Sequence, residues 1–115
     1  MKLLVIGHSV LDFIKSAGTQ YISAGGIFYT ISVLNRLKSN DDEIFLSTQF
    51  DYETYDYFKP EFEKVNNKFL QKVEKIPRVH LNLQKDCERH EAYENITNNL
   101  SINISDLNSF DGILI

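Results

Sequence analysis

One cysteine among 115 residues, Cys87, leaves no partner for an internal disulfide, and no Cys/His set has zinc-finger spacing. That usage fits a reducing compartment, so the cytoplasm is the expected location and a structural metal is not expected. No apolar run approaches the roughly 20 residues that cross a bilayer, and no membrane partner is expected. The opening run, Met1 to Ile6, ends at Gly7-His8 without a cleavage-site pattern, which removes the signal-peptide reading. Sequons at Asn95-Ile-Thr97, Asn99-Leu-Ser101 and Asn103-Ile-Ser105 carry no meaning without such a signal. Lysine and arginine form no cluster and the net charge is −4, so a phosphate backbone would meet no basic field; nucleic acid is not an expected partner.

Several chemistries are missing as well. Gly7, Gly18, Gly25, Gly26 and Gly112 spell neither a phosphate loop ending in Gly-Lys-Ser/Thr nor a dinucleotide Gly-x-Gly-x-x-Gly pattern. Ser9 is not at a nucleophile elbow, because the positions two residues either side hold Gly7 and Leu11. His8, His80 and His90 are scattered, with no spacing that converges on a metal, and read as surface histidines.

What is present is an ordinary globular composition, 43% hydrophobic and 24% charged, within the size of one domain. Lys2 to Gly7 is a nearly continuous apolar run and reads as a strand buried on both faces of a parallel sheet. Asp12–Lys15 and Gln20–Ser23 are short β-prone stretches around Ser-Ala-Gly-Thr, which predicts a small hairpin. From Gly26 to Lys38, Ile27, Ile31, Leu34 and Leu37 recur at three and four, the spacing of a helix. Glu43–Thr48 follows as a strand, so the succession is strand, helix, strand and the fold class α/β. Tyr55, Phe58, Phe62, Val65 and Phe69 continue the helical spacing, with a break expected beside Lys59 because Pro60 suits only a helix start. Arg78–Gln84 and Arg89–Asn95 predict a half-exposed hairpin turning at Lys85-Asp86-Cys87-Glu88. Gly112–Ile115 is a last strand with no turn or polar tail behind it, and the chain reads as incomplete.

Two features are candidates for chemistry. Asp12 follows the carboxyl end of the first strand, where open α/β sheets present their ligand crevice, and a carboxylate there can accept two hydrogen bonds from a diol. The alternative is a solvated loop residue or turn cap. Gly25-Gly26, just before the helix, would let a ligand approach the backbone and the amides of the helix start. A plain strand-to-helix turn is the competing reading.

Leu4-Val5-Ile6-Gly7 with Asp12, then Ala24-Gly25-Gly26-Ile27-Phe28-Tyr29-Thr30 opening a helix that closes on Asn35-Arg36-Leu37, resembles the start of the ribokinase-like (PfkB-type) sugar and nucleoside kinases. Ile44–Asp51 resembles that family's second strand and the acidic position after it. The stretches 12–23 and 78–95 resemble its substrate-covering lid, and Asp106–Ile115 its next core strand. The similarity runs through the chain but matches about the first third of such an enzyme. It implies a parallel sheet with flanking helices and a β lid, a kinase in the intact protein, and substrate contacts at Asp12, Gly25, Gly26 and Thr30, with Tyr29 competing for the place of Thr30. It also implies ATP and Mg2+ as cofactors, bound outside this chain, and a small-molecule alcohol as partner. The family's Gly-Ala-Gly-Asp run, which carries its base and anion hole, is absent, so this portion alone is expected to be inactive. Thr30, Lys38 or Ser39, and Phe50 depart from the family's usual asparagine, glycine and glycine, which leaves the substrate class open.

Two further readings stand beside this one. The chain could be a non-catalytic polyol-binding module or one that forms a homodimer through its exposed hairpin. A flavodoxin-like domain has the right element order but lacks its phosphate-binding loop here.

Overall fold

A computed structural model describes residues 1–83, 90–96, 99–102 and 104–115. The expected turn at Lys85-Asp86-Cys87-Glu88, Cys87 itself, and the sequon residues Thr97 and Asn103 lie outside the described residues. In chain order the elements are β1 (Lys2–Ile6), β2 (Ser9–Ser16), β3 (Thr19–Gly26), α1 (Ile27–Leu37), β4 (Glu43–Phe50), a 3-10 turn at Tyr55–Tyr57, α2 (Lys59–Phe62), β5 (Asn66–Lys72), β6 (Arg78–Leu83), β7 (His90–Glu94), a 3-10 turn at Leu107–Ser109, and β8 (Gly112–Leu114).

Among the described residues two four-stranded sheets form. The first runs β5-β4-β1-β8, with every pairing parallel. As its unbroken apolar run requires, β1 is buried on both sides. Val5 packs with Ile31 of α1 and with Ile44, Leu46, Phe58, Phe62 and Ile76. Leu4 and Ile6 join Phe45 on the opposite face, beneath Leu100, Ile104 and Phe110. Ile31 is wholly buried, and a side chain of that size removed from water contributes about 1.5–3 kcal/mol. Leu37, placed by its spacing on the same stripe, is instead exposed at the end of α1.

The second sheet runs β3-β2-β6-β7 and is mixed: β2 pairs antiparallel with β3 and parallel with β6, and β6 antiparallel with β7. The hairpin of β2 and β3 is longer than its β-prone cores indicate. Its two-residue turn, Ala17-Gly18, has positive φ at both positions, 48° and 80°, as turns that match the twist of a hairpin require. Its inner end joins the main core through Leu11 and Ala24, and Ser9 Oγ lies 2.8 Å from Thr48 Oγ1, tying β2 to β4.

The aromatic spacing from Tyr55 to Phe69 is not one broken helix. The chain does change course beside Lys59, where α2 begins with Pro60 in its first turn. That helix ends after four residues, and Phe69 belongs to β5. Phe58 and Phe62 are buried by the helical pieces, whereas Phe69 reaches its aromatic neighbours Phe45 and Phe110 from a strand. Three- and four-residue spacing across a change of element imitates a single periodicity.

Candidate functional site

The two sheets meet where β1 gives way to β2, and Asp12 lies just beyond this junction. Because side chains alternate along a strand, the register places Ser23, Asp12, Val79 and Tyr93 in one row across β3, β2, β6 and β7. Val10 and Ile14 flank Asp12 on the same face of β2. Asp12 therefore stands between Val10 and Ile14 on its own strand, with Ser23 and Val79 on the strands to either side.

Gly25 is built around that carboxylate. A Cβ at this position would overlap Asp12 Oδ2 and come within 2.9 Å of Asp12 Cγ. Asp12 thus occupies the volume that a side chain at residue 25 would fill. Gly26 is required for a different reason. Its φ is +64°, and a Cβ there would strike the carbonyl oxygen of His8, which is backbone and cannot swing away. That same carbonyl accepts the amide of Ile27 at 2.8 Å, so the first amide of α1 is engaged within the protein rather than turned toward a ligand.

Tyr29, in the first turn of α1, aims its hydroxyl at Asp12 Oδ2 from 3.5 Å, the long limit of a hydrogen bond. Thr30 sits next to it, half-buried. Burial pushes the Asp12 carboxyl above its ordinary value, and the Tyr29 hydroxyl offsets part of that rise. The structure therefore brings Asp12, Gly25 and Tyr29 together, sets Gly26 at the entry to α1, and leaves Thr30 one position along the helix.

Asp51, noted in the sequence only as an acidic position after a strand, proves to be the centre of a buried network. Its side chain is 1% exposed. Asp51 Oδ1 accepts the amide of Thr54 at 2.8 Å and its hydroxyl at 2.6 Å, while Oδ2 accepts the amide of Ile76 at 2.9 Å. The guanidinium of Arg78 lies 4.0 Å from Asp51 Oδ2 and 3.6 Å from Glu53 Oε2, and donates to the Ile76 carbonyl at 3.3 Å. Burial raises the Asp51 carboxyl, but the bonds from Thr54 and Ile76, with the nearby arginine, outweigh it and hold the group below its ordinary value. The signal in the sequence was Asp-x-x-Thr, the spacing at which an aspartate caps the turn that follows it.

No family model matches the sequence, and no curated protein matches it. Solved structures do match. A nucleoside kinase of Methanocaldococcus jannaschii, described as an archaeal member of the ribokinase family, aligns over 81% of this chain with a TM-score of 0.63 and 16% identity. The fold is ribokinase-like. A fructokinase of Xylella fastidiosa with bound ATP aligns over 83% of the chain at a TM-score of 0.67 and 14% identity. A ribokinase of Cryptococcus neoformans var. grubii in complex with ADP aligns over 81% at 0.60 and 16%. The chain spans about a third of the structures it matches, 36%, 30% and 34% of their lengths respectively. What it contains of the ribokinase-like fold is four parallel core strands, α1 and the second sheet that carries Asp12.

Proposed function

We propose that this chain forms the acceptor-binding part of an ATP-dependent kinase that phosphorylates a hydroxyl of a sugar, a nucleoside or a related small alcohol. The observation that carries this reading is the seating of the Asp12 carboxylate in the space left by Gly25, beyond the carboxyl end of β1 and facing the start of α1. A half-buried carboxylate whose one bond is long has acceptor capacity to spare for a pair of hydroxyls. Gly25 leaves the space in which the Asp12 carboxylate sits, Gly26 leaves exposed backbone at the entry to α1, and Thr30 adds a hydroxyl on the first turn of that helix. The ribokinase-like fold, shared with structures that hold ATP and ADP, supports nucleotide as the phosphate donor.

The sites for ATP and Mg2+ are assigned to residues outside this chain. Among the described residues no group of three or more His, Cys, Asp or Glu could hold a metal ion, so no metal-assisted step is built on them. In-line phosphoryl transfer also needs a base and an anion hole aligned with the acceptor, and none of the described residues is assigned either role. The chain by itself binds acceptor and transfers nothing. Among the described residues no helix is long and apolar enough to cross a membrane, and we place the protein in the cytoplasm on its cysteine usage.

Titration with D-ribose, D-fructose and adenosine, followed through the amide signals of Asp12, Gly25 and Gly26, tests the reading. At least one of these alcohols is expected to shift those signals in the wild type and not in Asp12→Ala, with no phosphorylated product in the presence of ATP and Mg2+. Equal binding by both proteins, or binding of none of the three, contradicts it.

A second reading, a non-catalytic module that pairs with itself, is favoured by β7. All five of its residues are exposed, and among the described residues it is the outermost strand of the second sheet. Such an edge pairs readily with another strand. Sedimentation equilibrium showing a dimer that Ala92→Pro dissolves supports a homodimer through this hairpin, and a monomer removes it.

A further inference from the structure

A line of direct contacts runs from Asp51 to the strand that carries Asp12. Asp51 Oδ2 accepts the amide of Ile76 at 2.9 Å. The next residue, Pro77, turns its carbonyl toward β2 and accepts the amide of Leu11 at 3.0 Å. Leu11 is the immediate neighbour of Asp12 and pairs in register with Arg78. Arg78 closes the loop by donating to the Ile76 carbonyl and standing beside Asp51. The entry to β6 is thus gripped on the amide side of Ile76 by Asp51 and on its carbonyl side by Arg78, and that entry holds β2.

We infer that Asp51 and Arg78 are positioning residues, which set the place and orientation of the Asp12 carboxylate through Ile76, Pro77 and Leu11. The consequence for acceptor binding rests on the function proposed above, but the positioning itself does not. Burial makes the grip effective. Asp51 is 1% exposed and Arg78 8%, so water is poorly placed to take over their hydrogen bonds, and a chain of buried bonds has few alternative arrangements. The anchor also reaches into the core: Thr54, which donates twice to Asp51 Oδ1, is itself buried beside the turn that leads to Phe58. Around Asp12, the groups that would register a shift are Tyr29 from α1, Ser23 from β3 and Val79 from β6.

Asp51→Asn tests this, since an amide keeps the shape of the carboxylate but not its charge or its full accepting capacity. The readouts are hydrogen exchange at the Leu11 amide and the midpoint of the Asp12 carboxyl 13C titration, both on the chain as it stands and without ligand. Exchange at Leu11 about tenfold faster while the Val5 amide keeps its protection, together with an Asp12 midpoint that falls toward the ordinary carboxylate value, is the expected result. Arg78→Met should act in the same direction and Arg78→Lys should restore part of the effect. An Asp12 midpoint and Leu11 exchange unchanged in a variant that has merely lost thermal stability would overturn the inference, because the network would then be structural only. If Asp51→Asn does not fold, Thr54→Val removes one of the four bonds or contacts to Asp51 and carries the same two readouts. Failure of alcohol binding in the wild type would count against the proposed function alone.

Discussion

Asp12 and Asp51 stand on the two sides of the junction between the core sheet and the second sheet, and the fold treats them in opposite ways. Asp51 is enclosed and supplied with three hydrogen bonds and a nearby guanidinium, so its charge is stabilised. Asp12 is half-buried, with one long bond from Tyr29 and a glycine pressed against its face, so its charge is under-compensated. Carboxylates that hold a fold together are satisfied from within. A carboxylate that is partly desolvated and left with free accepting capacity is placed to be satisfied by something else.

The largest difference should appear in stability. Asp51→Ala leaves two buried amides and a hydroxyl without their acceptor and takes one charged partner from Arg78, and is expected to lower unfolding free energy by about 3–5 kcal/mol in urea titrations. Asp12→Ala should change it by less than about 1 kcal/mol. Equal losses would erase the distinction between the two aspartates.

The two glycines sharpen the same contrast. Gly26→Ala forces a side chain into a positive-φ position against the His8 carbonyl and should cost about 1–3 kcal/mol. Gly25→Ala displaces the Asp12 carboxylate, so its main effect should be on acceptor affinity, weakened about tenfold or more, a change of about 1.4 kcal/mol.

Acid separates the aspartates by sign. Asp51 has a folded value below the ordinary 3.8, so it contributes stability that is present above 3.8 and lost as pH falls through the lower folded value. Asp12 has a folded value above 3.8, so its ionised form opposes folding, and that opposition is relieved as pH falls through the raised value. Acid unfolding curves should therefore flatten at their acidic end in Asp51→Asn and not in Asp12→Asn. The smallest effect belongs to Tyr29→Phe, which removes one exposed, long bond. It should raise the Asp12 midpoint further while leaving stability within about 0.5 kcal/mol.

Much of this was legible in the sequence where one residue pattern meant one environment. The unbroken run of β1 announced burial on both faces, and the spacing of Ile27, Ile31 and Leu34 announced α1. The order of Asp12, Gly25 and Gly26 pointed to the place where β2, β3 and α1 meet, and Asp12 is seated against Gly25 there; that an acceptor binds at this place is the proposal made above. The stretch from Tyr55 to Phe69 was misleading, since a 3-10 turn, a four-residue helix and a strand put their aromatics at helical intervals by coincidence of lengths. The role of Asp51 was out of reach for a different reason. Its partner Thr54 is local, but Ile76 and Arg78 lie more than twenty residues away and meet it only once β4 and β6 are in place. Tyr29 and Thr30 competed for one place because aligning from Gly25-Gly26 or from Arg36-Leu37 differs by one residue; the fold sets the Tyr29 hydroxyl toward Asp12 and Thr30 one position along α1.

The most direct measurement is a single 13C titration of the aspartate carboxyls in the wild-type chain, run with and without D-ribose, D-fructose or adenosine in turn. The account predicts an Asp12 midpoint above 3.8 that moves when an acceptor is added, and an Asp51 midpoint below 3.8 that does not. An Asp12 midpoint at or below 3.8, indifferent to every one of the three alcohols, would contradict it.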